Sequence, residues 1–109
     1  MPNKNYISGY RRELQIMKFL QERDWFCLRS AGSHGVIDII AMKRKNTKGI
    51  QAGFQVSKDQ VVLIQSKVGE LSINQAQKIE VEMFDEVGFG IPLCVYGKAW
   101  KAQLLGLGI

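Results

Sequence analysis

Two runs decide the fold of this chain, Val36-Ile37-Asp38-Ile39-Ile40-Ala41-Met42-Lys43 and Val61-Val62-Leu63-Ile64-Gln65-Ser66-Lys67. Each is apolar, rich in β-branched residues and too short for an independent helix, so each reads as a strand. The second is apolar without a break from Val61 to Ile64, as expected of a central strand covered on both faces. A charged side chain in such a run is costly unless a partner, a metal or a pocket offsets its lost hydration. Asp38 and Lys67 are therefore the residues that require an explanation.

Outward from this pair, residues 25–30 read as a first strand entered directly from a helix over residues 8–24. Ser8 is positioned to cap that helix. Glu13, Ile16, Met17 and Leu20 follow the i, i+3, i+4, i+7 rule and share one stripe. On the other side, residues 72–87 read as a second helix, opened by a capping box of Ser72 and Gln75 and closed by Gly88 and Gly90. Ile73, Ala76, Ile79, Met83, Phe84 and Val87 form its expected buried stripe, with Glu80, Glu82, Asp85 and Glu86 on the solvated face. Residues 91–96 are a last strand. The order αβββαβ defines an α/β domain, a central mixed β-sheet flanked by helices.

At 109 residues the chain is one domain. Residues 1–7 are expected to be a flexible polar N-terminus, and residues 44–60 a basic insertion, loop or hairpin, long for a two-strand connection. Residues 98–109 form an apolar tail whose Trp100, Leu104, Leu105, Leu107 and Ile109 need cover, on their own domain or at a dimer contact. No run approaches a membrane span. The N-terminus lacks the apolar segment of a secretion signal, so an intracellular location, cytoplasm or nucleoid, is expected. Cys27 and Cys94 sit in apolar strand-like runs without metal-ligand spacing and read as buried reduced thiols.

The net charge of +5 is unevenly placed. Residues 1–24 carry five basic and three acidic side chains, residues 25–67 seven and two, and residues 68–97 one and five. Positive charge thus surrounds Asp38 and Lys67, a field that draws a polyanion to that side.

Side chains alternate along a strand, so Gln65 and Lys67 share a face, and Asp38 on a neighbouring strand converges with them. A carboxylate, an amide oxygen and an ammonium together suit a hard divalent cation beside a phosphate. Lys67 is equally a salt-bridge partner for Asp38. Glu13 reads either as part of this site or as an early-helix acid favoured by the helix dipole. Arg29 is an edge residue or a phosphate contact. The loop Ala31-Gly32-Ser33-His34-Gly35 has two glycines that allow close backbone approach to a ligand. Its His34, the sole histidine, fits a surface position better than a catalytic one. Gln75 is explained by the capping box, or by a role near DNA.

The strand Asp38 followed by a strand ending in x-Lys resembles the PD-(D/E)XK nuclease superfamily. With the Gly-Ser loop before Asp38 and the helix Glu13 upstream, residues 8–97 are similar to the archaeal-type Holliday junction resolvases. The resemblance implies a restriction-endonuclease-like core and a Mg²⁺-dependent endodeoxyribonuclease, with Mn²⁺ able to substitute. It implies Glu13, Asp38 and Gln65 as metal ligands, with a backbone carbonyl at Ser66, and Lys67 assisting the attacking water. Ser33 would lie by the scissile phosphate. Cleavage would leave 5′-phosphate and 3′-hydroxyl ends, and a homodimer would nick a four-way DNA junction on two strands. Arg11, Arg12, Arg29, Ser33, His34, Lys43, Arg44, Lys45, Lys48 and Gln75 are the candidate DNA contacts. The family usually carries Glu where this chain has Gln65, an oxygen donor without charge, so weaker metal binding is expected. Two alternatives follow: another nuclease of the superfamily, nicking, restriction-like or flap-repairing, and a DNA-binding module of the same fold with weak chemistry.

Overall fold

The structure, a computed structural model, describes residues 4–30, 35–43 and 61–108. Its elements are α1 (Lys4–Gln21), β1 (Trp25–Arg29), β2 (Ile39–Lys43), β3 (Val61–Lys67), α2 (Ile73–Val87), β4 (Ile91–Tyr96) and α3 (Trp100–Leu105). The four strands form one sheet in the order β1-β2-β3-β4, antiparallel at the first two pairings and parallel at the last. The parallel step requires a crossover, and α2 provides it. This is the αβββαβ order expected from the sequence, extended by α3. The basic insertion expected over residues 44–60 lies outside the described residues.

β3 occupies the centre of the pattern, with Val61, Val62, Leu63 and Ile64 all buried. Alternation divides them between two cores. Val62 and Ile64 join Ile16, Leu20, Trp25, Ile39, Val95, Trp100 and Leu104 beneath α1 and α3. Val61 and Leu63 join Ile37 and Met83 beneath α2.

α1 begins at Lys4, ahead of the expected start, and Ser8 lies inside it rather than at its cap. Residues 4–7 contain no glycine or proline, so nothing in them halts the helix before Ser8. The helix ends through Asp24, whose φ of 66° turns the chain into β1. Asp tolerates this left-handed conformation better than most residues.

α2 starts as expected. Ser72 Oγ accepts from the Gln75 N–H, and Gln75 Oε1 accepts from the Ser72 N–H. Its buried stripe is narrower than expected: Ala76 and Met83 are buried, whereas Ile73 is 68% exposed and Phe84 and Val87 are also exposed. Glu80, assigned to the solvated face, is half-buried and accepts from the Cys94 N–H at 3.1 Å. The apolar tail also resolves: Trp100 and Leu104 are core residues of α3, with Trp100 edge-on to Phe19 at 5.7 Å. Leu105 and Leu107 stay exposed.

β4 is the last strand in the sheet order, and side chains occupy its outward polar groups. The occupied groups are chiefly its donors: Pro92 has no N–H, Cys94 N–H donates to Glu80, and Tyr96 N–H donates to Gln103 Oε1 at 2.8 Å. Gln103 Nε2 returns a hydrogen bond to the Tyr96 carbonyl at 3.1 Å.

Candidate active site at one end of the sheet

The strand directions bring the end of β1, the entry to β2 and the end of β3 to the same end of the sheet. Arg29, Asp38 and the run Gln65-Ser66-Lys67 therefore meet there. Glu13 reaches the same level from α1. From Glu13 to the end of the helix the rise is about 12 Å at ~1.5 Å per residue, and β1 returns about 13 Å at ~3.3 Å per residue. The two spans match, and Arg29 Nε donates to Glu13 Oε1 at 2.9 Å. The pair is largely buried, with 15% of the Glu13 side chain and 21% of that of Arg29 exposed. The Arg29 guanidinium also lies over the Tyr10 ring, 4.6 Å from its centroid.

Asp38 stands just ahead of β2, held by backbone on both sides. Its N–H donates to the Ile64 carbonyl and its carbonyl accepts from the Ser30 N–H, both at 2.8 Å. Its Oδ2 accepts from the Ser66 N–H at 2.9 Å. The carboxyl is pushed above its ordinary range chiefly by burial, against the lowering effects of the Ser66 N–H, Lys67 and Arg29. Glu13 is likewise raised, first by burial and then by the charge of Asp38, with Arg29 opposing both. Glu13, Arg29, Asp38 and Lys67 thus form one electrostatic group of two anions and two cations. Lys67 itself is exposed.

Two further oxygens lie at the end of β3. Gln65 Oε1 and Ser66 Oγ are buried and have no hydrogen-bond partner among the described residues. Buried polar atoms without partners are uncommon and each calls for an explanation. By alternation Gln65 and Lys67 continue the α2 side of β3 and Ser66 the α1 side, with Asp38 against the Ser66 backbone between them. Among the described residues, no three His, Cys, Asp or Glu side chains gather to hold a metal. The available donors are two carboxylates, one amide oxygen and one hydroxyl, all hard oxygens of the kind Mg²⁺ accepts.

The other sequence assignments divide. Arg12 Nη1 donates to the Gly97 carbonyl at 2.8 Å and its guanidinium faces Trp100, so it ties α1 to the segment before α3. Lys43 lies at the opposite end of the sheet from Asp38, where Nζ donates to the Arg23 carbonyl at 2.9 Å and faces Trp25. Each of these two candidate DNA contacts thus has a local partner within the fold. The Gln75 side chain is engaged in the cap of α2, which favours its structural reading. Arg11 is exposed on α1. Ser33, His34, Arg44, Lys45 and Lys48 lie outside the described residues. Cys94 is a buried thiol pushed up to about 11, first by burial and then by Glu80, which keeps it protonated at neutral pH. Cys27 is also buried, its Sγ 4.0 Å from the Met17 carbonyl.

Sequence reasoning missed two partnerships. Glu13 with Arg29 was discoverable from the matching rises of α1 and β1, whereas Glu80 with the Cys94 N–H has no local signal. Comparisons with protein-family models, with curated proteins and with solved structures find no match. The structure defines the class as an α/β domain whose four-stranded mixed sheet is flanked by helices. Among the described residues no helix is long and apolar enough to cross a membrane.

Proposed function

We propose that this chain is a metal-dependent DNA endonuclease with a restriction-endonuclease-like core, acting on branched DNA in the manner of a Holliday junction resolvase. The observation that carries the reading is the pair of desolvated carboxylates, Glu13 and Asp38, beside buried oxygens without partners at the end of β3. The αβββαβ order, with Asp38 at the entry to β2 and Lys67 at the end of β3, agrees with it.

Glu13 and Asp38 would hold Mg²⁺ or Mn²⁺, with Gln65 as a neutral donor and Ser66 contributing oxygen from its backbone or hydroxyl. The bound cation would lower the pKa of water and offset charge on the phosphate. The chain's own residues do the rest. The Ser66 N–H fixes one Asp38 oxygen and so orients the carboxylate. Lys67, exposed and close enough to act on Asp38, would offer its ammonium to charge accumulating on the phosphate. Arg29 would contact a neighbouring phosphate oxygen. Spread positive charge from residue 25 to residue 67 favours recognition of backbone and shape over base sequence. A two-fold dimer would present one such site to each of two strands.

A second reading is supported by Gln65, which brings no charge, and by the Arg29–Glu13 pair, which engages one of the two site carboxylates. On it the chain is a DNA-binding module with weak or no cleavage. The deciding experiment offers a labelled four-way junction and a matched linear duplex with Mg²⁺, with Mn²⁺ and with chelator. Paired, metal-dependent nicks confined to the junction are expected, and Asp38→Asn should lose cleavage while keeping binding. Binding without cutting in either metal would transfer the assignment to the module. Equal cutting of the duplex would make the chain a general nuclease, and cleavage retained in Asp38→Asn would reject the site.

A further inference from the structure

An ion pair, Arg29 with Glu13, lies within the candidate site. Arg29 is held on three sides: by Glu13 at 2.9 Å, by the Tyr10 ring beneath its guanidinium, and by the end of β1 from which it projects. Most of its side chain is out of water, so its charge acts on Glu13 with little solvent screening. Glu13 is also one of the two carboxylates available to a divalent cation, and its neighbour Asp38 feels Arg29 as well. A cation entering the site and Arg29 therefore seek the same anion.

We infer that Arg29 is a built-in counter-ion that competes with the metal for Glu13 and is transferred to a DNA phosphate when substrate binds, so that metal and DNA bind cooperatively. This deepens the nuclease reading and rests on it. In the chain without DNA, the charges of Glu13, Asp38, Arg29 and Lys67 cancel, and Gln65 adds none. Such a group attracts a divalent cation weakly. A phosphodiester supplies both a missing negative charge and an alternative bidentate-capable partner for the guanidinium. Moving Arg29 from carboxylate to phosphate releases the Glu13 oxygen for the metal. Linkage makes the effect reciprocal: whatever factor DNA adds to metal affinity, metal adds to DNA affinity. Cleavage chemistry is thereby confined to the DNA complex, because the free protein holds little metal.

The test is calorimetric titration of Ca²⁺, a hard divalent cation that takes oxygen ligands as Mg²⁺ does, into the full chain with and without a four-way junction. Wild type should bind Ca²⁺ at least about tenfold more tightly in the presence of the junction. Arg29→Gln should bind Ca²⁺ about tenfold more tightly than wild type without DNA, and its gain on adding DNA should fall to about twofold. Lys101→Gln removes the same charge from α3 and should match wild type in both states, which separates the local effect from net charge. Arg29→Lys, keeping the charge without the planar fork, should fall between wild type and Arg29→Gln. Wild type and Arg29→Gln with equal Ca²⁺ affinity and equal coupling would overturn the counter-ion role while leaving the metal site intact. No Ca²⁺ binding by any variant in either state would reject the metal site and the counter-ion role together.

Discussion

Replacing Gln65 by Glu restores charge at the end of β3 and tests whether that oxygen belongs to an acidic site. Gln65 Oε1 is buried without a partner among the described residues, and the same end of the sheet already holds two carboxylates raised by burial. A third carboxylate there would lose hydration and meet like charge. A penalty of about 1–3 kcal/mol follows for a buried group of this kind in the absence of a compensating cation. For a domain of this size that is a fall in Tm of roughly 5–15 °C. A divalent cation at about 100 times its Kd would return about 2.7 kcal/mol by mass action. Thermal melts of wild type and Gln65→Glu in chelator, and in a Mn²⁺ series, measure both quantities. The variant should melt lower in chelator and recover to or beyond the wild-type value with Mn²⁺, while wild type shifts far less. Acidification should also relieve the penalty, because a carboxyl raised in the folded state is destabilising only where it is ionised. A variant as stable as wild type in chelator, and indifferent to Mn²⁺, would show that position 65 does not face the carboxylates.

Asp38→Asn should raise stability at neutral pH and match wild type in acid. The folded Asp38 binds its proton more tightly than the unfolded chain does, so its stabilising contribution is present at low pH and lost as pH rises above the ordinary carboxyl range near about 4. Melts from about pH 3 to about pH 8, which span the ordinary carboxyl range and the region above it, should show the two proteins diverging upward; a constant difference across that range would remove burial of charge as the cause. Trp100→Ala should cost about 3–5 kcal/mol by loss of a buried aromatic, measured by urea unfolding. A smaller loss, accompanied by a change in sedimentation, would move Trp100 from the core to an interface.

The fold was legible where a local signal and the tertiary demand coincide. Val61 to Ile64 is apolar because β3 is covered on both faces, and Ser72 with Gln75 marks the start of α2 because the cap closes within four residues. Elsewhere they part. Ser8 is a good cap residue, but the helix passes through it, residues 4–7 containing no glycine or proline to stop it. Ile73 and Phe84 carry helical periodicity, yet α2 rests on the sheet along a narrow line through Ala76 and Met83, and the outer apolar residues stay in water. In the site, Asp38 was visible because a strand rarely carries an acid without cause. Arg29 and Glu13 were each visible alone; their pairing depends on how far α1 and β1 run past one another. Lys43 and Arg12 show the converse, since positive charge near the site in sequence lies elsewhere in space or against a carbonyl.

The outward side of β4 has a consequence for assembly. Glu80 from α2 and Gln103 from α3 take the places that a fifth strand would fill, and Pro92 offers no donor. An incoming peptide would have to displace both side chains before accepting from the Cys94 or Tyr96 N–H along this margin. The sheet is thus terminated at β4 by its own helices, and growth by strand addition there, whether toward a dimer or toward an aggregate, is disfavoured. Partners at this margin meet side chains first, at an edge where the sheet of the described residues stops at β4.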